Sequence, residues 1–514
     1  MKFLPKLNFT VSHTKFCIWY CVISYAVFNF INFSKFTQWF VQKGGIDYVG
    51  LFDFLAVGLL LSIFVFLLFA HRWTTKLVAI LFVILGASAT YFINKYNVSV
   101  DRTMVMNALY TDKNEVHSLL SWQMMPYAFF LMGVPIMIIL QAKVTYERFY
   151  FLSSLKLMVF ALVFSVGLAY LCFPSISRAA NVSNKQIIFK LVPINFIQSF
   201  ASIAQNSLEP YFKSERKEIN VTGKVTDNKN LMVVLAIGET ARQDNFSLYG
   251  YKRAHTNPEL EKVKELHALN GKARLGSTLY ALPEILTKND VTLPGFVSKV
   301  GIDTVCYVNF TLYDNCLTPG EVSATKCAHG GNCYDEDVIP LLEERLKSYV
   351  SGYAFTVLHL GGGSHGPSYQ ERIPPEYQLL KPTCLDPDVV NRCSIEQLYN
   401  AYDNTILYTD HVLSEILRRL DQSSVPYVFI YLSDHGESLL EEGRIFHGMP
   451  PGIKLPPEQA RIPLLIKSSI PLDIEPRKEY LQTDVFDMVL NLFSIQSEIH
   501  EKERGFISWP SAID

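Results

Sequence analysis

Five uncharged stretches, Phe16–Ser34, Phe54–Ala70, Leu77–Asn94, Ser118–Ala142 and Leu157–Ser177, constrain this chain more than anything else in it. A helix needs ~20 apolar residues to cross ~30 Å of hydrocarbon, and each stretch is near that length. Lys2, Lys6 and Lys15 ahead of the first could belong to a signal peptide, but the stretch is too long for one and no small-x-small site comes after it. All five therefore read as membrane helices, a transmembrane domain over residues 1–178. They help raise the hydrophobic content of the 514 residues to 49%, and the remainder of the chain has the composition of a soluble domain large enough for its own core. A formal net charge of −2 with no polybasic tail leaves no footprint for nucleic acid.

Loop charges set the orientation. Lys2, Lys6 and Lys15 precede span one, Arg72 and Lys76 separate spans two and three, and Lys143, Arg148 and Lys156 separate four and five. The positive-inside rule makes those ends cytoplasmic. An odd number of spans then delivers everything after the fifth to the other side, which in a bacterial inner membrane is the periplasm. Cysteine usage fits an oxidising compartment there. Cys17, Cys21 and Cys172 lie in spans, whereas Cys306, Cys316, Cys327, Cys333, Cys384 and Cys393 form an even set in the C-terminal part. Neighbour pairing would give Cys306–Cys316, Cys327–Cys333 and Cys384–Cys393; zinc-finger ligation is the alternative, although no spacing is C-x2-C.

Residues 179–230 read as a bridge. An apolar stripe of Ile187, Ile188, Leu191, Val192, Phe196, Ile197 and Phe200, with a break at Pro193, suits a helix lying on the membrane or buried in the soluble domain. The polar run from Lys213 to Asn230 is the linker. Residues 231–514 then alternate strand-like runs with helical patterns, the mark of an α/β domain with a parallel sheet. Candidate strands are Leu231–Gly238, Asp303–Val308, Tyr353–Leu360, Tyr427–Ser433 and Ile462–Ile466. Ile395–Leu420 is a long helix burying Leu398, Tyr402, Ile406, Leu413, Leu417 and Leu420.

The strand ends carry the chemistry. Glu239-Thr240 comes after the first strand, His359 and then Ser364-His365-Gly366-Pro367 after the third, and Asp434-His435-Gly436-Glu437 after the fourth, with His447-Gly448 beyond. Open α/β sheets bind ligands at the carboxyl ends of their strands. Carboxylates and imidazoles converging there suit zinc or manganese and leave a coordination position open to substrate. Taken singly, a Glu after a strand is a helix-start residue and an Asp-His pair is turn chemistry. Together they make a metal edge.

The segments Gly238-Glu239-Thr240-Ala241-Arg242, Ser364-His365-Gly366-Pro367, Ala401-Tyr402-Asp403-Asn404, Ser433-Asp434-His435-Gly436-Glu437-Ser438 and His447-Gly448-Met449-Pro450 resemble the lipid A phosphoethanolamine transferases, which include the enzymes behind mobile colistin resistance. The resemblance runs along essentially the whole chain. It implies five spans ahead of an alkaline-phosphatase/sulfatase-like α/β/α domain, and Zn2+ held by Glu239, Asp434 and His435 with a threonine nucleophile as fourth ligand. The pattern Gly276-Ser277-Thr278-Leu279-Tyr280-Ala281-Leu282-Pro283 singles out Thr278, with Ser277 as rival, and a helix over Tyr280–Leu286 would set Thr278 at a positive helix end. His365 and His447 match histidines that bind the substrate phosphate or a second zinc, and His447 could protonate the leaving alkoxide. Asn107, Thr111 and Glu115, spaced to share one helix face, match residues that hold the ethanolamine head group.

By that resemblance the donor is phosphatidylethanolamine, the acceptor lipid A, and the protein a monomer. Another envelope acceptor, or phosphoglycerol transfer or hydrolysis, would use the same metal edge. Three departures stand out. Arg274 and Glu284 occupy the positions near which relatives bracket the nucleophile with a cysteine pair, so its loop lacks a covalent staple. An extra glycine in His359-Leu360-Gly361-Gly362-Gly363-Ser364-His365 leaves the role of His359 open, and a family lysine is missing near Asn309–Asn315. Asp53, just ahead of span two, faces either a substrate cleft or water.

Overall fold

The computed structural model describes residues 9–42, 44–110, 122, 124–183, 186–205, 221–308, 322–324, 334–362, 369, 372–386, 389–449 and 452–510. The chain forms two compact units, Met1–Asn206 and Ser207–Asp514.

In the first unit the main helices are α1 (His13–Phe30), α2 (Phe33–Trp39), α3 (Tyr48–Phe69), α4 (Thr75–Tyr96), α5 (Met124–Gln141), α6 (Tyr150–Leu171), α7 (Phe173–Val182) and α8 (Ile194–Gln205), with the shorter Arg102–Tyr110 and Gln186–Phe189 between them. Among the described residues α3, α4, α5 and α6 are each long and apolar enough to cross a membrane, and α1 with α2, bent by 74° at a short break, passes the same test as a pair, either a broken span or a re-entrant loop. The bend separates what the composition runs together, because Asn29 is drawn into tertiary contact. Its amide donates to Tyr25 O and Val192 O (2.9 and 2.6 Å), and its Oδ1 accepts from Val192 N (3.0 Å). The fifth span runs over Tyr150–Leu171 rather than to Ser177, since Pro174 starts the separate helix α7. Asp53 lies inside α3, not ahead of it; Asp47 is the N-cap, accepting from Gly50 N, and Asp53 Oδ2 accepts from the Cys172 thiol at 2.7 Å. The stripe around Pro193 belongs to this unit. Ile187 and Leu191 pack with Phe36 and Phe54, and Val192 and Phe196 with Phe28 and Ile93.

The second unit is built on an eight-stranded sheet: β1 (Leu231–Gly238), β2 (His267–Lys272), β3 (Asp303–Val308), β4 (Val322–Ala324), β5 (Tyr353–His359), β6 (Tyr427–Ser433), β7 (Arg461–Ser468) and β8 (Tyr480–Leu481), in the order β4-β3-β5-β1-β6-β7-β2-β8. β1, β5 and β6 are buried along their whole length, as their unbroken apolar runs require of central strands covered on both faces. β7 departs from the parallel expectation, pairing antiparallel with β6 and with β2. The segment joining β6 to β7 stays at the carboxyl edge, where Gly436 N bonds Gln459 O at 2.9 Å, so the next strand starts there and runs back. β2 is absent from the strands that hydropathy picks out, since only Gly271 in it is fully buried and its pattern is polar.

Two helices matter for the site. α9 (Thr278–Leu286) carries Thr278 as its first residue, with Ser277 in extended conformation as the N-cap. α10 (Ile395–Gln422) opens with a Ser394/Gln397 capping box and buries all six apolar positions named from its periodicity. Cys384 and Cys393 form a disulfide, and Cys306 is disulfide-bonded as well; Cys316, Cys327 and Cys333 lie outside the described residues.

Candidate functional site

The site grows out of the register between β1 and β6. Ser433 pairs with Gly238, so both strands end at one level and deliver Glu239 and Asp434-His435 side by side. The turn after β1 is tight. Thr240 is a buried left-handed residue (φ 51°) whose N–H donates to Asp434 Oδ1 at 3.0 Å, while Ala241 N donates to Ser433 Oγ at 2.8 Å. Tyr402 of α10 clamps the turn, its hydroxyl donating to Thr240 O (2.7 Å) and accepting from Arg242 N (2.9 Å).

Thr278 completes the cluster. Its Oγ1 lies 2.9 and 2.8 Å from the two oxygens of Glu239 and 3.3 Å from His435 Nε2. Glu239, Asp434 and His435 are fully buried and Thr278 nearly so. His435 Nδ1 sits 3.0 Å from Gly436 O, which fixes the proton on that nitrogen and turns the Nε2 lone pair into the pocket. Asp434 Oδ2 faces that Nε2 at 3.3 Å and accepts no hydrogen bond among the described residues. Two lone pairs facing each other in a dry pocket are unfavourable until a cation lies between them. The donor set of carboxylates, imidazole and hydroxyl is one that zinc accepts, so these residues fit the ion.

His447 approaches from the far loop. Its ring stacks obliquely on His435 with centroids 4.5 Å apart, and its Nδ1 lies 3.1 Å from Glu437 Oε2. Ligand atoms of Glu239, His435 and His447 all fall within 4.8 Å of one another. Burial pushes the Glu437 carboxyl well above its usual range and lowers the His435 imidazole. Asn107 is on the helix Arg102–Tyr110, while Thr111, Glu115 and His365 lie outside the described residues. The region of the missing lysine, Asn309–Asn315, lies outside them too. His359 is buried at the end of β5.

Several participants lie within the quoted segments, but the sequence assigns them no role. Arg242 is a buried guanidinium donating to Glu437 O (3.1 Å) and pairing with Glu441 (2.7 Å), so it ties the Glu239 turn to the loop that carries His447. Gly448 N donates to Gly276 O at 2.6 Å, joining that loop to the Thr278 loop. Where a covalent staple is missing, Arg274 and Glu284 face each other at 4.0 Å across the nucleophile segment. The glycine run after His359 has a use as well. Gly362 is left-handed (φ +67°), and a Cβ there would stand 2.4 Å from Glu239 O. Asp335 holds this loop down, accepting from Gly361 N (2.6 Å) and Gly362 N (2.9 Å).

A membrane unit of apolar helices, and a mixed α/β unit with a carboxylate-imidazole cluster and a hydroxyl at its carboxyl edge, define a membrane-anchored chain of the sulfatase-like class. The Sulfatase family model matches residues 280–495, and that for Phosphoethanolamine transferase EptA/EptB matches residues 59–208. The chain is 32% identical over 476 residues to Phosphoethanolamine transferase EptA of Helicobacter pylori, covering 86% of this chain and 84% of that one. It is 26% identical over 538 residues to Phosphatidylethanolamine transferase Mcr-1 of Escherichia coli (95% and 96% covered). The integral membrane lipooligosaccharide phosphoethanolamine transferase A (EptA) of Neisseria meningitidis superposes with a TM-score of 0.83 at 26% identity, over 97% of this chain and 98% of that one. The chain belongs to the EptA family of phosphoethanolamine transferases.

Proposed function

We propose that this protein resides in a bacterial inner membrane with its globular unit in the periplasm, and moves phosphoethanolamine from phosphatidylethanolamine to a phosphate of lipid A through a covalent intermediate on Thr278. The observation that carries this reading is the Thr278 hydroxyl at a helix N-terminus, 2.8–2.9 Å from both Glu239 oxygens and 3.3 Å from His435 Nε2. A hydroxyl so placed is a nucleophile with acceptors in reach of its proton. Glu239, Asp434, His435 and Thr278 would hold zinc, with His447 close enough to take part. When bound, the ion lowers the pKa of the hydroxyl and offsets charge on the phosphoryl oxygens.

Each step is assigned to a residue. Asn107, Thr111 and Glu115 receive the ethanolamine ammonium. Thr278 Oγ1 bonds to phosphorus as the phosphorus–oxygen bond to the glycerol breaks, its proton passing toward Glu239. His447 Nε2 protonates the departing alkoxide, so diacylglycerol leaves as an alcohol; the Nδ1 contact to Glu437 holds the ring for that role. A lipid A phosphate hydroxyl then attacks phosphorus, its proton passing to His447, as the phosphorus–Thr278 Oγ1 bond breaks and the proton held at Glu239 returns to restore the hydroxyl. Masking that phosphate with an ammonium-bearing group weakens electrostatic attraction for cationic peptides such as polymyxin.

Intact-protein mass after incubation with phosphatidylethanolamine, with peptide mapping of the product, tests donor and nucleophile together. One phosphoethanolamine group on Thr278, absent from Thr278→Ala, is expected. An adduct on Ser277, or wild-type turnover by Thr278→Ala, refutes the mechanism. Lipid A from cells with and without the gene tests the acceptor: an unchanged lipid A mass removes that assignment while leaving the donor half intact.

A further inference from the structure

Among the described residues of the globular unit, large hydrophobic side chains are left exposed at five places, and four of these fall in one short segment: Leu379 (64% exposed), Leu385 (77%), Val390 (36%) and Ile395 (56%). The fifth, Val350 (90%), precedes β5 at the amino edge of the sheet. Single exposed hydrophobics are ordinary, but four gathered on one segment mark an interaction surface.

The segment is built to hold them outward. Residues 380, 382 and 384 are tied in sequence to the start of α10. The Asn404 side chain brackets the Leu380 backbone (2.8 and 3.1 Å), Asn400 donates to Pro382 O (2.9 Å), and Cys384 N donates to Gln397 O (3.1 Å). Beside these ties Leu379, Lys381, Pro382 and Leu385 are exposed, while Leu380 and Thr383 are partly buried and Cys384 is buried. The Cys384–Cys393 disulfide, with its Cα atoms 5.5 Å apart, brings the second half alongside, where Val389 is buried while Val390 and Ile395 are exposed. The segment thus carries four exposed apolar side chains, with Lys381 between two of the leucines.

We propose that this surface seats on the bilayer, its apolar side chains entering the headgroup boundary and Lys381 reaching lipid phosphates. Three observations favour lipid over a protein partner. The chain carries its own membrane unit, and residues 206–220, which connect Gln205 of α8 to Val221, span no more than roughly 55 Å when fully extended. A bilayer is therefore always at high effective concentration. An exposed lysine between exposed leucines is the arrangement in which the aliphatic stem lies along apolar surface and the ammonium meets the phosphates. The patch also lies at the catalytic end of the domain. The same first turns of α10 that bind residues 380–384 place Tyr399 on Glu441 (2.9 Å) and Tyr402 on Thr240 O (2.7 Å). A domain seated this way presents its metal edge near the surface from which a lipid would come; this last point rests on the proposed function, the seating itself does not.

The test uses the full chain in proteoliposomes of phosphatidylethanolamine and phosphatidylglycerol, with and without dibrominated acyl chains. A tryptophan is added as Leu385→Trp, with Ile395→Trp as second position and Val350→Trp as control, and emission is read as the difference from the parent protein. Seating predicts that bromination removes about half or more of the added emission at 385 and 395 and leaves that at 350 unchanged. Equal quenching at 385 and 350 overturns the proposal. So does an added emission that tracks the protein-to-lipid ratio rather than bromination, which would assign the patch to a second copy of the chain. Because the readout is independent of turnover, its failure is distinct from failure of the transferase reading.

Discussion

Gly362→Ala puts the account of the metal edge at greatest risk. The new Cβ would lie 2.4 Å from Glu239 O, 2.9 Å from its Cβ and 3.0 Å from its N. An ordinary contact begins near 3.4 Å. Something must therefore move by about 1 Å, and the glycine cannot simply retreat. Its N–H is held by Asp335, and Leu360 N is bonded to Ile237 O at 2.8 Å. The substitution has two costs. The left-handed backbone at φ +67° costs an alanine about 1–2 kcal/mol. Displacement of Glu239 would spoil the geometry of the proposed metal site, which tolerates only about 0.2 Å. The expected result is a zinc affinity at least about tenfold weaker, which is ~1.4 kcal/mol. With the strain, the melting temperature of the full chain should fall by roughly 3–8 °C. Gly250→Ala separates the two terms: Gly250 is also left-handed (φ +90°), but a Cβ there meets nothing within 4 Å. It should lower stability and leave zinc affinity unchanged. Competition titration against a chelator, with thermal unfolding of both variants, is the assay. Wild-type zinc affinity in Gly362→Ala, or equal weakening in Gly250→Ala, refutes the reasoning.

Other perturbations read out other parts of the domain. Arg242→Gln leaves Glu441 without its cation and frees the loop carrying His447, so stability should drop by about 2–3 kcal/mol and turnover more than tenfold with bound metal retained. Adding Glu441→Gln should restore most of the stability; strict additivity in that double-mutant cycle would remove the coupling. Asp410 gives a pH signature. Burial pushes its carboxyl up to about 7, although Glu259 N and Leu260 N donate to it at 2.9 and 3.0 Å. A folded pKa above the unfolded value of ~3.9 means that the folded state holds the proton longer. Its contribution is thus full below about pH 4 and declines as pH rises toward about 7, a loss on the order of 2 kcal/mol between pH 5 and pH 8. Melting curves of Asp410→Asn should lack that slope, and an unchanged slope would assign it elsewhere.

Length and hydropathy reveal that helices cross a membrane but not where they break. Nothing in Phe16–Ser34 signals that Asn29 reaches Val192, because its partner lies 163 residues away. Lys156 hides the first turns of α6, since a charged residue near a membrane boundary can snorkel without ending a helix. In the globular unit the central strands are legible because burial on both faces demands unbroken apolar runs. β2 is not, because an outlying strand tolerates polar residues. The site divides the same way. Glu239, Asp434 and His435 come directly after apolar runs, and a metal edge can be inferred from that position. Gly362, Arg242 and Glu437 act through contacts formed only when loops from different strands meet.

Those contacts carry a cost that shows what they are for. Of the non-glycine residues with left-handed backbone, Thr240, Leu440, Glu442 and Phe446 lie in the two segments that Arg242 joins. Thr240 comes directly after Glu239, and Phe446 directly before His447. Each such residue costs on the order of 1 kcal/mol or more, and persists only where its surroundings over-determine it. Here they do: Tyr402 and Asp434 hold Thr240, the Arg242–Glu441 pair holds the segment of Leu440 and Glu442, and Gln459 donates to Phe446 O at 3.1 Å. Relaxing either turn would recover stability and let Glu239 and His447 drift apart. A cluster with ligand atoms within 4.8 Å, assembled from separate strand ends, thus depends on strain that the buried arginine and tyrosine keep in place. Variants that relieve it should be more stable and less active, and a stabilised Phe446→Gly that kept full turnover would show that the strain has no catalytic purpose.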